Sequence, residues 1–144
     1  MARVVALDPG TVRVGVAVSD PSGLIAQPHS TVAAEPLDTL PARLAAVIQE
    51  LDAAHVVVGL PRRMDGTVGP EAKEARRLAS ELRRLTRRPV TLQDERLSSV
   101  AAERALREGG RRRGERRRLS DQVAATLILQ TYLDSARRGG GPDE

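Results

Sequence analysis

Three acidic residues stand where they could support hydrolytic chemistry. Asp8 and Glu95 each follow a short apolar run, and Asp121 opens an apolar pattern of helical spacing. Mg²⁺ and Mn²⁺ prefer oxygen ligands and usually take a few carboxylates together with water and substrate phosphate. Two such ions can activate a water and stabilise the leaving oxygen of a phosphodiester. If the fold brings the three carboxylates together, they are the candidate catalytic residues and the candidate ligands of Mg²⁺ or Mn²⁺.

Each of these residues also has an ordinary structural explanation. Asp before Pro-Gly is a common turn former, and Asp near the start of a helix can cap it. Glu95 can pair with its neighbour Arg96 on the surface. Residue type and spacing leave both explanations open, so the decision depends on where the folded chain places the three side chains.

The composition excludes several other kinds of site. The chain has 144 residues and no Cys, which removes disulfides, thiol nucleophiles and Cys-ligated zinc. With two His, a site built from paired imidazoles is hard to assemble. No apolar run reaches the ~20 residues of a membrane-spanning helix, and the first residues lack the pattern of a signal peptide. We therefore expect a cytoplasmic protein without a membrane partner.

Arginines are concentrated in one segment. Residues 104–118 hold eight Arg and two Glu, a net charge of +6 in a chain whose total is +4. A coding bias toward Arg explains the choice of Arg over Lys but not the clustering. The cluster is typical of a chain that binds a polyanion, with a solvated loop as the alternative. The flexible loop predicted over 109–118 carries the expected nucleic-acid contacts, namely Arg111, Arg112, Arg113, Arg116, Arg117 and Arg118.

The first third of the chain has the pattern of an antiparallel meander. Residues 4–7 form a continuous apolar run, typical of a strand buried on both faces. Residues 12–18 alternate between Val and smaller or polar residues, which predicts a strand with one core face. Turns are expected at Asp8-Pro9-Gly10-Thr11 and at Asp20-Pro21-Ser22-Gly23. Residues 24–32 form the third predicted strand, and Pro28 within it favours the edge of the sheet.

The rest of the chain alternates helices and strands. Helical spacing is predicted over 37–51, from Gly69-Pro70 onward, from Ser98 or Ser99 to about 108, and over 120–138. Strands are predicted at 55–60 and 89–93. This order predicts an α/β fold with a mixed five-stranded sheet, three strands antiparallel and the others parallel, and helices on its faces. We expect one domain over 1–138 and a disordered tail over 139–144.

The predicted sheet gives the acidic residues a common location. If the first and fifth strands run parallel, Asp8 and Glu95 lie at the carboxyl edge of the sheet, where open α/β sheets bind their ligands. Asp121 shares one helix face with Ala124, Ala125 and Ile128, so it is expected on the packed side of the last helix. Burying a lone charge is costly, and a bound cation offsets that cost.

Four segments of the chain resemble the YqgF family, also called RuvX, whose members are relatives of the RuvC-type Holliday junction resolvases. DxGT alone occurs in several superfamilies, but the four segments together are specific. They span residues 3 to about 134 in the family's order: Ala6-Leu7-Asp8-Pro9-Gly10-Thr11 running into VRVGVAVSD, Val58-Gly59-Leu60-Pro61 with Met64-Asp65-Gly66-Thr67, Asp94-Glu95-Arg96-Leu97, and Asp121-Gln122-Val123-Ala124-Ala125.

The resemblance implies a ribonuclease-H-like fold and a nuclease acting on the 5′ end of pre-16S rRNA in ribosome biogenesis. It assigns the central metal ligand to Asp8, with Glu95 and Asp121 completing the site. The Arg-rich segment falls where the family has a basic loop before its last helix. The chain departs from the family at Pro9 and at the pair Arg62-Arg63, and neither departure changes a residue of the acidic set. Further candidate contacts to substrate phosphates are Arg62, Arg63 and Arg96, although loop charges exposed to solvent explain the first two equally well.

Three other functions stay open at this stage. Branched DNA is the alternative substrate, as in the Holliday junction relatives. An actin-like kinase or ATPase shares the DxGT turn but normally needs two such domains. A non-catalytic RNA-binding assembly factor fits the basic segment but not the inward carboxylates. Because Tyr132 is the only aromatic residue, we expect recognition of the nucleic-acid backbone rather than base stacking. The sequence does not indicate an oligomeric state.

Overall fold

The computed structural model describes residues 3–61, 69–95 and 113–139, and in the last of these segments it describes the side chains of residues 122–137. The strands are β1 (Arg3–Pro9), β2 (Arg13–Ser19), β3 (Ala26–Ala33), β4 (Ala53–Leu60) and β5 (Val90–Asp94). The helices are a short 3-10 turn (Leu37–Thr39), α1 (Leu40–Glu50), α2 (Pro70–Thr86) and α3 (Arg113–Gly139).

The five strands form one mixed sheet in the order β3-β2-β1-β4-β5. Pairing is antiparallel between β1 and β2 and between β2 and β3, and it is parallel between β1 and β4 and between β4 and β5. The predicted mixed sheet is therefore confirmed. Strand β3 lies at the edge, as Pro28 indicated, and the register of its pairing shifts beside that residue, between Val16 and Ala17 of β2.

The sheet separates two hydrophobic cores. Helices α1 and α2 cover one face, where Leu44, Ile48 and Leu82 meet Val and Leu side chains of the strands. Helix α3 covers the other face, and the residues that it meets are mostly small: Ala6, Ala17, Ala26 and Val57 pack against Ala124, Ala125, Ile128, Leu129, Tyr132 and Leu133. Small side chains on both sides let a helix approach a sheet closely, because less volume separates the two backbones.

Strand β2 differs from its sequence-based prediction. Alternation predicted one core face, but every residue from Val14 to Ser19 is buried. The reason is α3, which covers the face carrying Gly15, Ala17 and Ser19. Ser19 is satisfied there because its Oγ accepts a hydrogen bond of 2.8 Å from the Val4 amide. Val12, predicted as a core residue of this strand, precedes it and is 56% exposed.

The first predicted turn is also shorter than expected. Strand β1 continues through Asp8 and Pro9, which pair with Gly15 and Val14 of β2. Asp8 is therefore a strand residue rather than part of the turn. Extended backbone suits the residue that precedes a proline, and Pro9 is compatible with the end of a strand.

The last helix begins earlier than predicted. It starts at Arg113 instead of Ser120, so Arg113, Arg116, Arg117 and Arg118 belong to a helix and the prediction of a flexible loop over 109–118 is wrong for residues 113–118. Arg and Glu are good helix formers, and a single Gly at position 114 costs only about 1 kcal/mol relative to Ala. The helix also includes Gly139, which the sequence assigned to a disordered tail. The helix predicted near 98–108 lies outside the described residues.

Helices α1 and α2 follow the predicted pattern. Pro70 occupies the first turn of α2, where its missing amide donor is tolerated. Within the described part of the chain, none of the helices combines the length and the apolar character that crossing a membrane requires.

Candidate active site

Asp8 lies at the carboxyl end of β1 and is buried, with 1% of its surface exposed. Side chains alternate along a strand. Leu7 belongs to the core under α1 and α2, and Ala6 to the core under α3. Asp8 therefore lies on the α3 side of the sheet. The fold places this carboxylate beneath the helix that contains Asp121.

Glu95 directly follows the last residue of β5 and is 7% exposed. Both β1 and β5 run parallel to β4, so their carboxyl ends share one edge of the sheet. The prediction that Asp8 and Glu95 lie at the same edge is thus confirmed. Their backbones stand about two strand spacings apart, roughly 10 Å, with β4 between them.

Gly59 of β4 lies between these two carboxylates. A Cβ atom added to it would lie 3.5 Å from Glu95 Cγ, 3.6 Å from the Leu7 carbonyl oxygen and 2.7 Å from Ile128 Cδ1 of α3. The Glu95 side chain therefore leans back over β4 toward β1, and α3 closes over the same point. The absent side chain of Gly59 provides the room in which the carboxylates can approach each other.

The sequence did not predict that Gly59 leaves space between the two carboxylates. The available signal was a glycine inside an otherwise apolar strand, directly after the β-branched run Val56-Val57-Val58. A glycine in the interior of a strand often marks the close approach of another group. Its neighbour in β5, Gln93, is buried as well and lies opposite Gly59 in the parallel register.

Asp121 lies within α3, one turn before the buried Ala124 and Ala125. It was expected to open that helix, and instead it lies eight residues after the helix start. Its side chain lies outside the described residues. Among the side chains that the structure does describe, no group of three His, Cys, Asp or Glu is placed to hold a metal ion. The three-carboxylate site therefore remains a prediction that rests on Asp8 and Glu95 from the sheet and on Asp121 from the helix.

The two described carboxylates suit a hard divalent cation. Both offer oxygen donors, both are buried, and both lie at the edge where an α/β sheet opens to ligands. His55 pairs with Val4 at the start of β1, and His29 lies on the edge strand β3, which β2 separates from β1. These oxygen donors are the ligands that hard divalent cations prefer, whereas structural zinc sites are usually built from Cys and His.

Arg13 is a second residue that the sequence did not single out. It begins β2, it is half-buried, and it lies on the same face as Gly15, which pairs with Asp8. Diagonal neighbours on one face of an antiparallel pair are about 7–8 Å apart, within reach of a long side chain. The structure thus provides a cation beside the acidic edge, suited to a substrate phosphate.

The remaining predicted nucleic-acid contacts divide into two groups. Arg113, Arg116, Arg117 and Arg118 lie in the first turns of α3, at most about 12 Å along the helix axis before Asp121. A second group lies outside the described residues, and it consists of Arg62, Arg63, Arg96, Arg111 and Arg112. The arginines of the first group therefore lie on the same continuous helix as Asp121 of the predicted site.

Comparison with known proteins identifies the family of the chain. A family model described as RuvX, Holliday junction resolvase, matches residues 2–135. The chain belongs to the RuvX family. Its relatives include two proteins named "Putative pre-16S rRNA nuclease". That of Lachnospira eligens is 44% identical over 139 residues, which cover 94% of this chain and 99% of the relative. That of Mycobacterium sp. strain KMS is 48% identical over 137 residues, with coverage of 94% and 81%.

Solved structures confirm the fold of this RuvX-family chain. RuvC of Thermus thermophilus, solved in complex with a Holliday junction substrate, matches with a TM-score of 0.65 at 16% identity, covering 98% of both chains. A second RuvC structure from the same organism gives a TM-score of 0.60 at 17% identity. The resemblance inferred from the four sequence segments is confirmed, as is the ribonuclease-H-like fold that it implied. Membership of the RuvX family assigns the chain to the nucleases, which are hydrolases of phosphodiester bonds.

Proposed function

We propose that this chain is a metal-dependent nuclease that processes the 5′ end of pre-16S rRNA in ribosome biogenesis. The names of its RuvX relatives support this substrate. The observation that carries the proposal is the burial of Asp8 and Glu95 at one edge of the sheet, on either side of Gly59. A scaffold without ligand chemistry has no need to bury two carboxylates at one edge, because each costs solvation energy.

The proposed site consists of Asp8, Glu95 and Asp121, holding Mg²⁺ or Mn²⁺. Asp8 is the central ligand, since it is the most buried of the described carboxylates and lies on a central strand. Glu95 lies against the position of Gly59 between the two strands, and Asp121 of α3 would complete the site. Divalent ions bound there supply an activated water and charge stabilisation for the leaving oxygen. Asp8 lies on β1 and Glu95 directly follows β5, so the sheet sets the positions of these two proposed ligands relative to each other.

The arginines of this chain orient the nucleic acid rather than read its bases. Arg13 and the basic start of α3 are the proposed contacts nearest the site, together with Arg62, Arg63, Arg96, Arg111 and Arg112. The only aromatic residue, Tyr132, is buried at 4% exposure and packs its ring against His55 at 5.3 Å. No aromatic side chain is left for base stacking, so binding depends on the backbone and weakens steeply with salt.

Branched DNA is the second candidate substrate. The family model is described as a Holliday junction resolvase, and the structural neighbour RuvC was solved on such a junction. The same acidic edge would serve either substrate, because the chemistry at the phosphodiester is the same. The proposal also includes a cytoplasmic location and one nuclease domain spanning residues 1–138.

A cleavage assay separates the candidates. Purified protein is incubated with a pre-16S rRNA fragment and with a four-way DNA junction, each with Mg²⁺, with Mn²⁺ and with EDTA. We expect metal-dependent cleavage of the rRNA precursor at its 5′ end and little cleavage of the junction. Preferred cleavage of the junction would replace the first substrate with the second. Cleavage that persists in EDTA would refute the metal-dependent mechanism.

A further inference from the structure

A group of arginines lies where α2 ends and β5 begins. Four of the six residues 83–88 are Arg. Because β5 follows directly, this group lies at the amino edge of β4 and β5, opposite the edge that holds Asp8 and Glu95. The length of β5 alone separates the two edges by about 13 Å. These arginines are therefore too far away to belong to the proposed catalytic site.

Two of the four arginines have structural roles. The Arg83 guanidinium donates to the Val90 carbonyl oxygen from Nη2 at 2.9 Å and from Nε at 3.3 Å, which ties the end of α2 to β5. Arg84 Nη2 lies 2.6 Å from Glu81 Oε1 one turn earlier. Both also lie in the last turn of the helix, where cations suit its dipole.

Arg87 and Arg88 have no such role, and we refer to them as the α2-end pair. Neither forms a salt bridge with any carboxylate in the described parts of the chain. Glu50 is the last residue of α1, and Asp52 lies between α1 and β4. Neither carboxylate forms a salt bridge with the α2-end pair. Arg87 is exposed and Arg88 is half-exposed. The two guanidinium groups therefore carry positive charge that is not ion-paired within the described part of the chain.

The backbone of Arg87 is unfavourable for its side chain. Its φ of 57° and ψ of 30° are left-handed, and its amide donates to the Arg83 carbonyl to end the helix. Glycine is the usual residue at such a position, since any Cβ atom is strained there. A glycine would end α2 equally well, so the arginine side chain is not explained by folding. Strained residues of this kind often mark functional positions.

We infer that the α2-end pair is a second contact surface for the phosphate backbone of RNA, remote from the active edge. The inference rests on the proposed nuclease function. Guanidinium groups bind phosphate in planar, bidentate fashion. Among the described residues β5 pairs with β4 alone, so RNA bound at the active edge could continue along the free side of β5 to the pair. The contact would hold the RNA that flanks the cleaved bond.

An acidic protein partner is the less suitable occupant. Protein interfaces usually have an apolar core. The large apolar side chains that are exposed in the described part of the chain are Val12, Leu24, Ile25 and Leu37, and none is near the α2-end pair in sequence. Charge without apolar surface suits a polyanion instead.

The test compares Arg87→Gly with Arg76→Gln, which removes the same charge from the exposed middle of α2. Both substitutions are made in the Asp8→Asn background so that RNA is not cleaved. Binding of a fluorescein-labelled RNA stem-loop with a 5′ extension is measured without metal over a range of salt concentrations. For Arg87→Gly we expect weaker binding, a salt slope shallower by about 1, and a Tm higher by about 2–4 °C because the strain is removed. Arg76→Gln should change neither the slope nor the Tm.

Four results would overturn the inference. A higher Tm with the salt slope of the control would show that Arg87 is only a strained surface residue. Equal flattening of the slope in Arg87→Gly and Arg76→Gln would show a general effect of net charge. If the parent protein fails to bind the RNA at all, the proposed function fails as well, and that outcome is distinct from a difference between the variants. Unchanged RNA binding with loss of a bound acidic protein would move the surface to the other class of partner.

Discussion

The two ends of β2 carry nearly the same short sequence with opposite structural results. Asp8-Pro9-Gly10 leads into this strand, and Asp20-Pro21-Ser22-Gly23 follows it. Both segments have typical turn chemistry. In the structure Asp20 is half-buried and organises a turn, whereas Asp8 is a strand residue buried under α3.

Asp20 illustrates a carboxylate that the local chain satisfies. Its Oδ1 accepts hydrogen bonds of 2.8 Å from the amides of Leu24 and Ile25, and its Oδ2 accepts one from the Ser22 hydroxyl. The hydrogen bond from Ser22, followed by that from Ile25, lowers the pKa of Asp20 to about 2. All of these partners lie within five residues, so the turn could form around Asp20 without the rest of the fold.

Asp8 illustrates the opposite case, in which the surroundings come from distant parts of the chain. Its neighbours are Gly15 of β2, the β4 strand with Gly59, and α3. The comparison teaches that turn chemistry in the sequence does not distinguish an Asp that organises a turn from an Asp that is buried where it could bind a metal ion. Position at the carboxyl edge, beneath a helix, makes the distinction.

The same substitution at the two Asp-Pro sites is the strongest test of this difference. We expect Asp8→Asn to lose at least ~100-fold in cleavage rate, since removing a metal ligand forfeits several kcal/mol of transition-state stabilisation. Asp20→Asn is the matched control and should cleave at the wild-type rate. Initial rates on the rRNA precursor measure both effects.

A binding measurement accompanies these rates. Saturating Mn²⁺ should raise the Tm of the wild-type protein and of Asp20→Asn, because a ligand that binds only the native state stabilises it. Asp8→Asn should lose that increase while its Tm without metal stays at or above the wild-type value, since a buried charge has been removed. If Asp8→Asn kept both the rate and the metal-dependent increase, the proposed site would be wrong.

The second test concerns the space between the carboxylates. In Gly59→Ala the new methyl group would come within 2.7 Å of Ile128 Cδ1 and 3.5 Å of Glu95 Cγ. We expect a loss of about 10-fold in cleavage, because small displacements of a catalytic group are costly, and a loss of about 1–3 kcal/mol in the free energy of unfolding from overpacking.

A second-site variant sharpens that prediction. Ile128→Val removes the Cδ1 atom that the new methyl group would meet, so Gly59→Ala with Ile128→Val should recover stability relative to Gly59→Ala alone. Urea denaturation measures the recovery. Ile128→Val on the wild-type background is the control, and an equal stability of the single and double variants would show that Gly59 is not limited by α3.

The sequence was informative wherever the pattern is local or repeated. Runs such as residues 55–60 and the apolar stripe of α2 predicted strands and helices correctly, and the edge position of β3 followed from Pro28. The common edge of Asp8 and Glu95 was predictable because two strands that run in the same direction in one sheet share their carboxyl ends, and β1 and β5 both run parallel to β4.

What the sequence did not predict depends on contacts between distant elements. The second buried face of β2 required knowing that α3 lies on it. The role of Gly59 required knowing that Ile128 and Glu95 meet above it. The helical start of α3 was not predicted, because Gly114 weakens the local helical pattern. The Arg and Glu residues around Gly114 are nevertheless good helix formers. For β2 and Gly59, tertiary packing overrides a local preference.

The smallest expected effect is that of removing the charge of Asp20. The folded pKa of Asp20, about 2, lies below its ordinary value of 3.8. A depressed carboxyl pKa stabilises the fold above the unfolded pKa, and this stabilisation is lost as the pH falls from about 3.8 toward 2. Asp20→Asn should therefore have a slightly lower Tm than the wild type at neutral pH, and the difference should disappear as the pH approaches 2. The turn should persist in the variant, because Gln130 of α3 accepts from the Ala26 amide at 2.9 Å and donates to the Leu24 carbonyl at 3.1 Å. A Tm difference that stays constant across this pH range would show that the charge of Asp20 does not stabilise the turn.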